Sequence, residues 1–67
     1  MAIVKVIEVL SEGKTIEKAV EAALKDASKT VRSIKSIYIQ DIQAIVGKTN
    51  KIAKYRINAK ISFVVDN

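Results

Sequence analysis

AKYRINAKISFVV, residues 53–65, decides the fold. Ala53, Tyr55, Ile57, Ala59, Ile61, Phe63 and Val65 fall on one side of an extended chain, and Lys54, Arg56, Asn58, Lys60 and Ser62 on the other. Such alternation is the mark of a strand with one face packed and one face polar. At about 3.3 Å per residue this strand is roughly 43 Å long. A compact chain of this length has a radius of gyration of roughly 11 Å, hence a diameter of roughly 28 Å. The strand therefore outgrows its own globule. Either it bends sharply around a helix, or its end pairs with another subunit.

Upstream, GKTNK at 47–51 is a polar turn, and SIYIQDIQAIV at 36–46 is a second strand rich in β-branched residues. Its alternation breaks midway. Ile37 and Ile39 share a face, whereas Ile42 and Ala44 take the other. A β-bulge between Gln40 and Ile42 would switch the faces, and a strand with different partners on its two halves would look the same. Before it, Ile16, Ala19, Val20, Ala23, Leu24, Ala27 and Val31 repeat with helical spacing, predicting a helix from about 15 to 32. Thr15 is its N-cap, although Lys18 rather than an acid follows three residues later. Lys29 and Arg32 then lie where the helix dipole favours cations. AIVKVIEVL at 2–10 is the first strand, and Ser11 to Lys14 reads as a turn. The sum is an α+β chain, β-α-β-β, with a three-stranded antiparallel sheet packed on one helix.

At 67 residues the chain forms one domain, 1–67, without repeats or linkers. So small a domain buries only about 60% of its unfolded surface. Disulfides, metals or oligomerisation usually make up the deficit. With no cysteine and no histidine, self-association is the remedy left, and one helix leaves apolar sheet for a neighbour to cover. MAIVKVIEV has charges at Lys5 and Glu8 and no signal-peptide apolar run. No segment reaches the ~18 apolar residues of a membrane span. The expectation is a cytoplasmic protein without a membrane partner.

The same inventory argues against catalysis. There is no His or Cys to serve as base or nucleophile, and Ser11, Ser28, Ser33, Ser36 and Ser62 sit in no nucleophile motif. Glu8 and Asp41 are candidates for a carboxylate pair, but strand lysines are their simpler partners. SEGKT at 11–15 carries only the tail of a phosphate-loop pattern, since Glu8 stands where the first glycine belongs. No DxDxDG calcium pattern occurs. The net charge of +5 is spread evenly from Lys5 to Lys60, and only three aromatics are present. That is a solvated basic surface rather than a nucleic-acid interface.

VKVIEVLSEG at 4–13, EKAVEAALKDASKTVRSIKS at 17–36 and KYRINAKISFVV at 54–65, in this order, resemble the dodecins. The resemblance covers essentially the whole chain. It implies a hollow homododecamer of cubic symmetry that stores or buffers a small ligand and catalyses nothing. In the best-studied members the ligand is a flavin (FMN, FAD or riboflavin), held as stacked pairs. Flavin-binding dodecins stack the ring on a Trp at the start of the second strand and hydrogen-bond it with a Gln directly after the Tyr of the third. Here Ser36 takes the Trp position and Arg56 the Gln position. Serine has no π face, so flavin binding is expected to be weakened or lost. Tyr38, on the face of Ser36, offers a smaller ring. Arg56 is open to three roles: stacking on an aromatic ligand, gripping a phosphate, or lining a polar interface with Ser36, paired to an acid of a neighbouring subunit. Ser36, Tyr38 and Arg56 are the candidate ligand-binding residues. The other function open to the chain is a structural, ion-binding or interaction module without flavin.

Overall fold

The computed structural model describes residues 3–65. β1 (Ile3–Gly13), α1 (Ile16–Ala27), β2 (Ile34–Val46) and β3 (Ile52–Val65) follow one another along the chain. The sheet order is β1-β3-β2 and both pairings are antiparallel. The alternating strand is thus the centre of the sheet. Its apolar side is packed and its polar side forms the middle of an open face.

α1 lies on β1 and β3. Its contact stripe is Ala19, Ala23 and Ala27, which together with Ile57, Ala59 and Ile61 make up the buried core among the described residues. Alanines hold the helix close to the sheet but contribute little apolar area. Among the described residues only Ile57 and Ile61 are large side chains shut from water. Ile16 and Leu24, assigned to the stripe from their spacing, lie on its flanks at 39% and 40% exposure.

Two boundaries differ from those read in the sequence. β1 does not end at Leu10 but runs on to Gly13, because β3 offers it a partner at every step down to Gly13 opposite Tyr55. The expected turn shrinks to Lys14 and Thr15, with Thr15 Oγ1 capping the helix by accepting from Lys18 N at 3.0 Å. A Cβ at Gly13 would stand 2.5 Å from Ala19 N. The helix start therefore sits directly on the strand's end. Ser11 Oγ reinforces the contact by donating to Ala19 O at 2.6 Å.

The helix ends at Ala27 rather than near 32. Ser28 Oγ donates to Lys25 O at 2.8 Å, and Lys29 N and Thr30 N close short turns onto Asp26 O and Ala27 O. Hydroxyl side chains that bond nearby backbone compete with helix continuation. Lys29 and Arg32 consequently lie beyond the last turn, where Lys25 is the basic residue. Val31 reaches the core from the turn that follows.

The break in β2 is a bulge. Ile39 stands opposite Ala59 and Asp41 opposite Asn58, so Gln40 is the extra residue. Its effect is to return Ile42 and Ala44 to the face of Ile57 and Tyr55. β2 keeps the one partner, β3, along its whole length, which removes the alternative of two partners. The β2–β3 turn closes with Gly47 N donating to Lys51 O at 2.8 Å, and Asn50 takes the left-handed conformation at φ 60°. Asparagine tolerates that conformation through local side-chain bonding.

β3 does not curl around the helix. The molecule measures 53 × 19 × 13 Å with a radius of gyration of 14.0 Å. A helix of twelve residues, at 1.5 Å per residue, spans only ~18 Å of that length. Ile3, Val4, Val6, Leu10, Tyr38, Ile42, Val46 and Ile52 all remain exposed. Covering one large apolar side chain is worth about 1.5–3 kcal/mol, so this surface is a strong drive to associate. Among the described residues no helix is long and apolar enough to cross a membrane.

Candidate functional site

The odd-numbered core residues of β3 point at α1, so Lys54, Arg56, Asn58, Lys60 and Ser62 line the opposite face. The register sets their neighbours. On β1, Glu12, Leu10, Glu8 and Val6 stand beside Arg56, Asn58, Lys60 and Ser62; on β2, Gln43, Asp41, Tyr38 and Ser36 flank the same four. Three acids, Glu8, Glu12 and Asp41, meet three bases, Lys54, Arg56 and Lys60. The face is charge-balanced, and the chain's net charge of +5 lies elsewhere. A polyanion such as nucleic acid finds no attraction here. Glu8 and Asp41 lie on opposite edge strands with β3 between them, so they form no carboxylate pair.

Each candidate residue has a defined place. The Ser36 and Ser62 hydroxyls share a hydrogen bond of 2.6 Å across β2 and β3. Tyr38 is 65% exposed beside Lys60. Arg56 is paired with Glu12 of its own chain: Nε donates to Glu12 Oε2 at 2.8 Å and Nη2 lies 2.7 Å from the same oxygen. The acid that Arg56 meets is thus in its own chain and not the neighbour's acid expected from the sequence. Lys54 Nζ completes the cluster, 2.7 Å from Glu12 Oε1. Hydrogen bonds from Lys54 and then from Arg56 hold the Glu12 carboxyl below its ordinary pKa.

These residues do not all converge. Ser36 and Tyr38 are neighbours on one strand. Arg56 lies six positions along β3 from Ser62, about 20 Å away. Beside Arg56 is a groove of about 360 Å³ walled by Leu10, Asp41, Gln43 and Asn58. Asn58 Oδ1 is buried there without a hydrogen-bond partner. A larger, more open groove of about 640 Å³ runs between the end of α1 and the start of β2, lined by Leu24, Val31, Ser33 and Ile34 among others. Among the described residues no three acids, histidines or cysteines come together as a metal site.

Glu12, Lys54, Asn58 and Ser62 were not singled out by sequence. Glu12 was hidden because its segment read as a turn. Had β1 been extended to Gly13, period-2 alternation would have put Glu12 on the polar face beside the strand bases.

A thin helix-on-sheet chain with a long central strand and a charge-balanced open face defines a small β-α-β-β class. The family model for dodecin matches residues 3–66, and the chain belongs to the dodecin family. Its fold is that of solved dodecins. A variant of the T. thermophilus dodecin superposes with a TM-score of 0.90 at 22% identity, covering 100% of both chains. The dodecin of Streptomyces davaonensis gives 0.89 at 15% identity, covering 98% of this chain and 97% of its own. That of Streptomyces coelicolor gives 0.89 at 19% identity, covering 98% and 94%. No curated protein sequence matches the chain significantly.

Proposed function

We propose that the protein is a non-enzymatic subunit of a homododecameric shell that stores or buffers a small polar ligand, with flavin binding weakened or lost. Family membership and the exposed apolar surface support assembly. The observation that carries the ligand side is the Ser36–Ser62 hydrogen bond of 2.6 Å. It occupies the position where, by resemblance, flavin-binding dodecins set a stacking Trp.

An indole buries roughly 150–250 Å², which at about 25 cal/mol/Å² amounts to roughly 4–6 kcal/mol as an upper estimate. Ring stacking adds about 0.5–1.5 kcal/mol. With about 1.4 kcal/mol per factor of ten, losing that wall lowers flavin affinity by orders of magnitude. Tyr38 is too exposed and too far from Arg56 along the strands to rebuild the same pocket within one chain. Arg56 is already engaged by Glu12 and offers neither the shape nor the acceptor of an amide.

Native mass spectrometry of the purified protein, with an absorption spectrum of the same sample and a flavin fluorescence titration, tests this. A dodecamer without flavin and without quenching at micromolar protein is the expected result. A dodecamer that carries flavin would overturn the ligand half, and a monomer would overturn the assembly.

A further inference from the structure

Arg56 is held from one side only. Glu12 engages Nε and Nη2, while Nη1 has no acceptor among the described residues. Two positions along the same face, Asn58 Oδ1 receives no donor but is shut from water, and so is closed to a ligand as well. Asp41 stands opposite Asn58 on β2, and Leu10, 69% exposed, stands opposite it on β1. All four line the one groove of about 360 Å³.

A guanidinium only donates, whereas a carboxylate accepts. The complement of this groove therefore carries an oxyanion at the Arg56 end and N–H donors at the Asp41 end. The two positions are diagonal neighbours on β3 and β2, roughly 7–8 Å apart. An apolar span between them would lie on Leu10. Charge agrees with this. The Glu12–Lys54–Arg56 cluster has one excess positive charge and Asp41 one negative, so the groove as a whole is neutral but polarised. A simple anion would be repelled by Asp41 and a simple cation by Arg56.

We infer that this groove is a binding site for a small zwitterion whose carboxylate and ammonium lie about 5–7 Å apart, an ω-amino acid being the simplest form. Glu12 is the positioning residue, fixing the guanidinium so that its free edge meets the carboxylate as a preformed fork. The inference rests on the polar sheet face being the ligand face of the shell.

The test is an NMR titration of the assembled protein with glycine, 4-aminobutyrate, 5-aminopentanoate and 6-aminohexanoate, with butyrate and butylamine as half-ligands. The affinity should peak at the middle lengths, about tenfold above glycine and above either half-ligand, as expected for gaining one charge-assisted contact. Arg56→Gln and Asp41→Asn should each remove the peak while native mass spectrometry still finds the shell. Affinity independent of length, or a peak that survives both substitutions, overturns the site. So does an intact shell that binds none of the probes, because a neighbouring subunit then fills the groove. Tight flavin binding alongside a retained length optimum would instead sink the proposed loss of flavin and leave the zwitterion site standing.

Discussion

Gly13→Ala separates two opposed expectations. Gly13 does not need a positive φ, so replacing it in an ordinary strand would reduce unfolded-state freedom and stabilise by about 0.4–1 kcal/mol. Its surroundings reverse the sign. An added Cβ would stand 2.5 Å from Ala19 N, 2.8 Å from Lys18 C and 3.0 Å from Ala19 Cα, all of them backbone that no rotamer change can move. Relief requires the start of α1 to lift from β1, which also stretches the 2.6 Å bond from Ser11 Oγ to Ala19 O. Overpacking of this kind costs about 1–3 kcal/mol, and a lost hydrogen bond adds about 1 kcal/mol. Set against the roughly 0.4–1 kcal/mol gained from the unfolded state, the net loss is about 1–3.5 kcal/mol. For a domain of this size each kcal/mol moves Tm by about 4–8 °C, so the melt should fall by roughly 4–28 °C. The assay is thermal unfolding followed by circular dichroism at one fixed protein concentration, because assembly makes Tm concentration-dependent. Gly47→Ala is the internal control. Its Cβ would meet Ala53 Cβ at 3.5 Å and Lys51 O at 3.6 Å, ordinary contacts, and the variant should be neutral or slightly more stable. A Gly13→Ala protein that melts with the wild type would refute the close helix–strand approach.

Three further outcomes are expected. Ser36→Trp should raise flavin affinity at least about tenfold, restoring the stacking contribution, as read by fluorescence quenching; no gain would mean that the wall is not what this protein lacks. Glu12, with its folded pKa lowered from 4.5, contributes stability that is fully present above about pH 4.5 and is lost as pH falls through the lower folded value. The difference in Tm between wild type and Glu12→Gln should therefore shrink between pH 6 and pH 3, and a constant difference would deny the ion-pair role. Val6→Glu places a charge on an exposed apolar position of the sheet. A surface change in a monomer is worth no more than about 0.5 kcal/mol, whereas here native mass spectrometry should show loss of large assemblies.

How far the fold was legible follows from where side-chain pattern decides structure. The alternation of residues 53–65 marked the long strand, though not its central place in the sheet, and the phase slip between Ile39 and Ile42 marked a break that only the pairing with β3 identifies as a bulge, because period 2 is imposed by the pleat itself. The helix stripe was legible for Ala19, Ala23 and Ala27, yet not its end. Ser28 and Thr30 close turns by local hydroxyl bonding, a choice that apolar spacing does not report. The end of β1 was misplaced for a similar reason. Gly13 carries turn propensity, but it is there to admit the helix, and only the pairing with β3 reveals that. The candidate site was legible as single residues and not as an arrangement. Ser36 and Arg56 mark the departures from the flavin-binding pattern, but their partners, Ser62 and Glu12, depend on register across strands far apart in sequence.

Those partners explain why the replacements belong together. A Ser at a stacking position would leave a hydroxyl on a bare face, and an Arg at an amide position would leave a charge there. Here the hydroxyl is answered by Ser62 and the charge by Glu12, both within the same chain. Neither residue needs a bound ring to be satisfied, so the face is self-consistent when empty. An aromatic wall would be different, since a large exposed indole gains most of its stabilisation only when something covers it. Asn58, whose Oδ1 is the side-chain polar atom left buried and unanswered among the described residues, stands two positions from Arg56 rather than beside Ser36. On the reading proposed above, the part of this face open to a ligand lies along β3 from the position of the missing ring, at Asp41 and the free edge of Arg56.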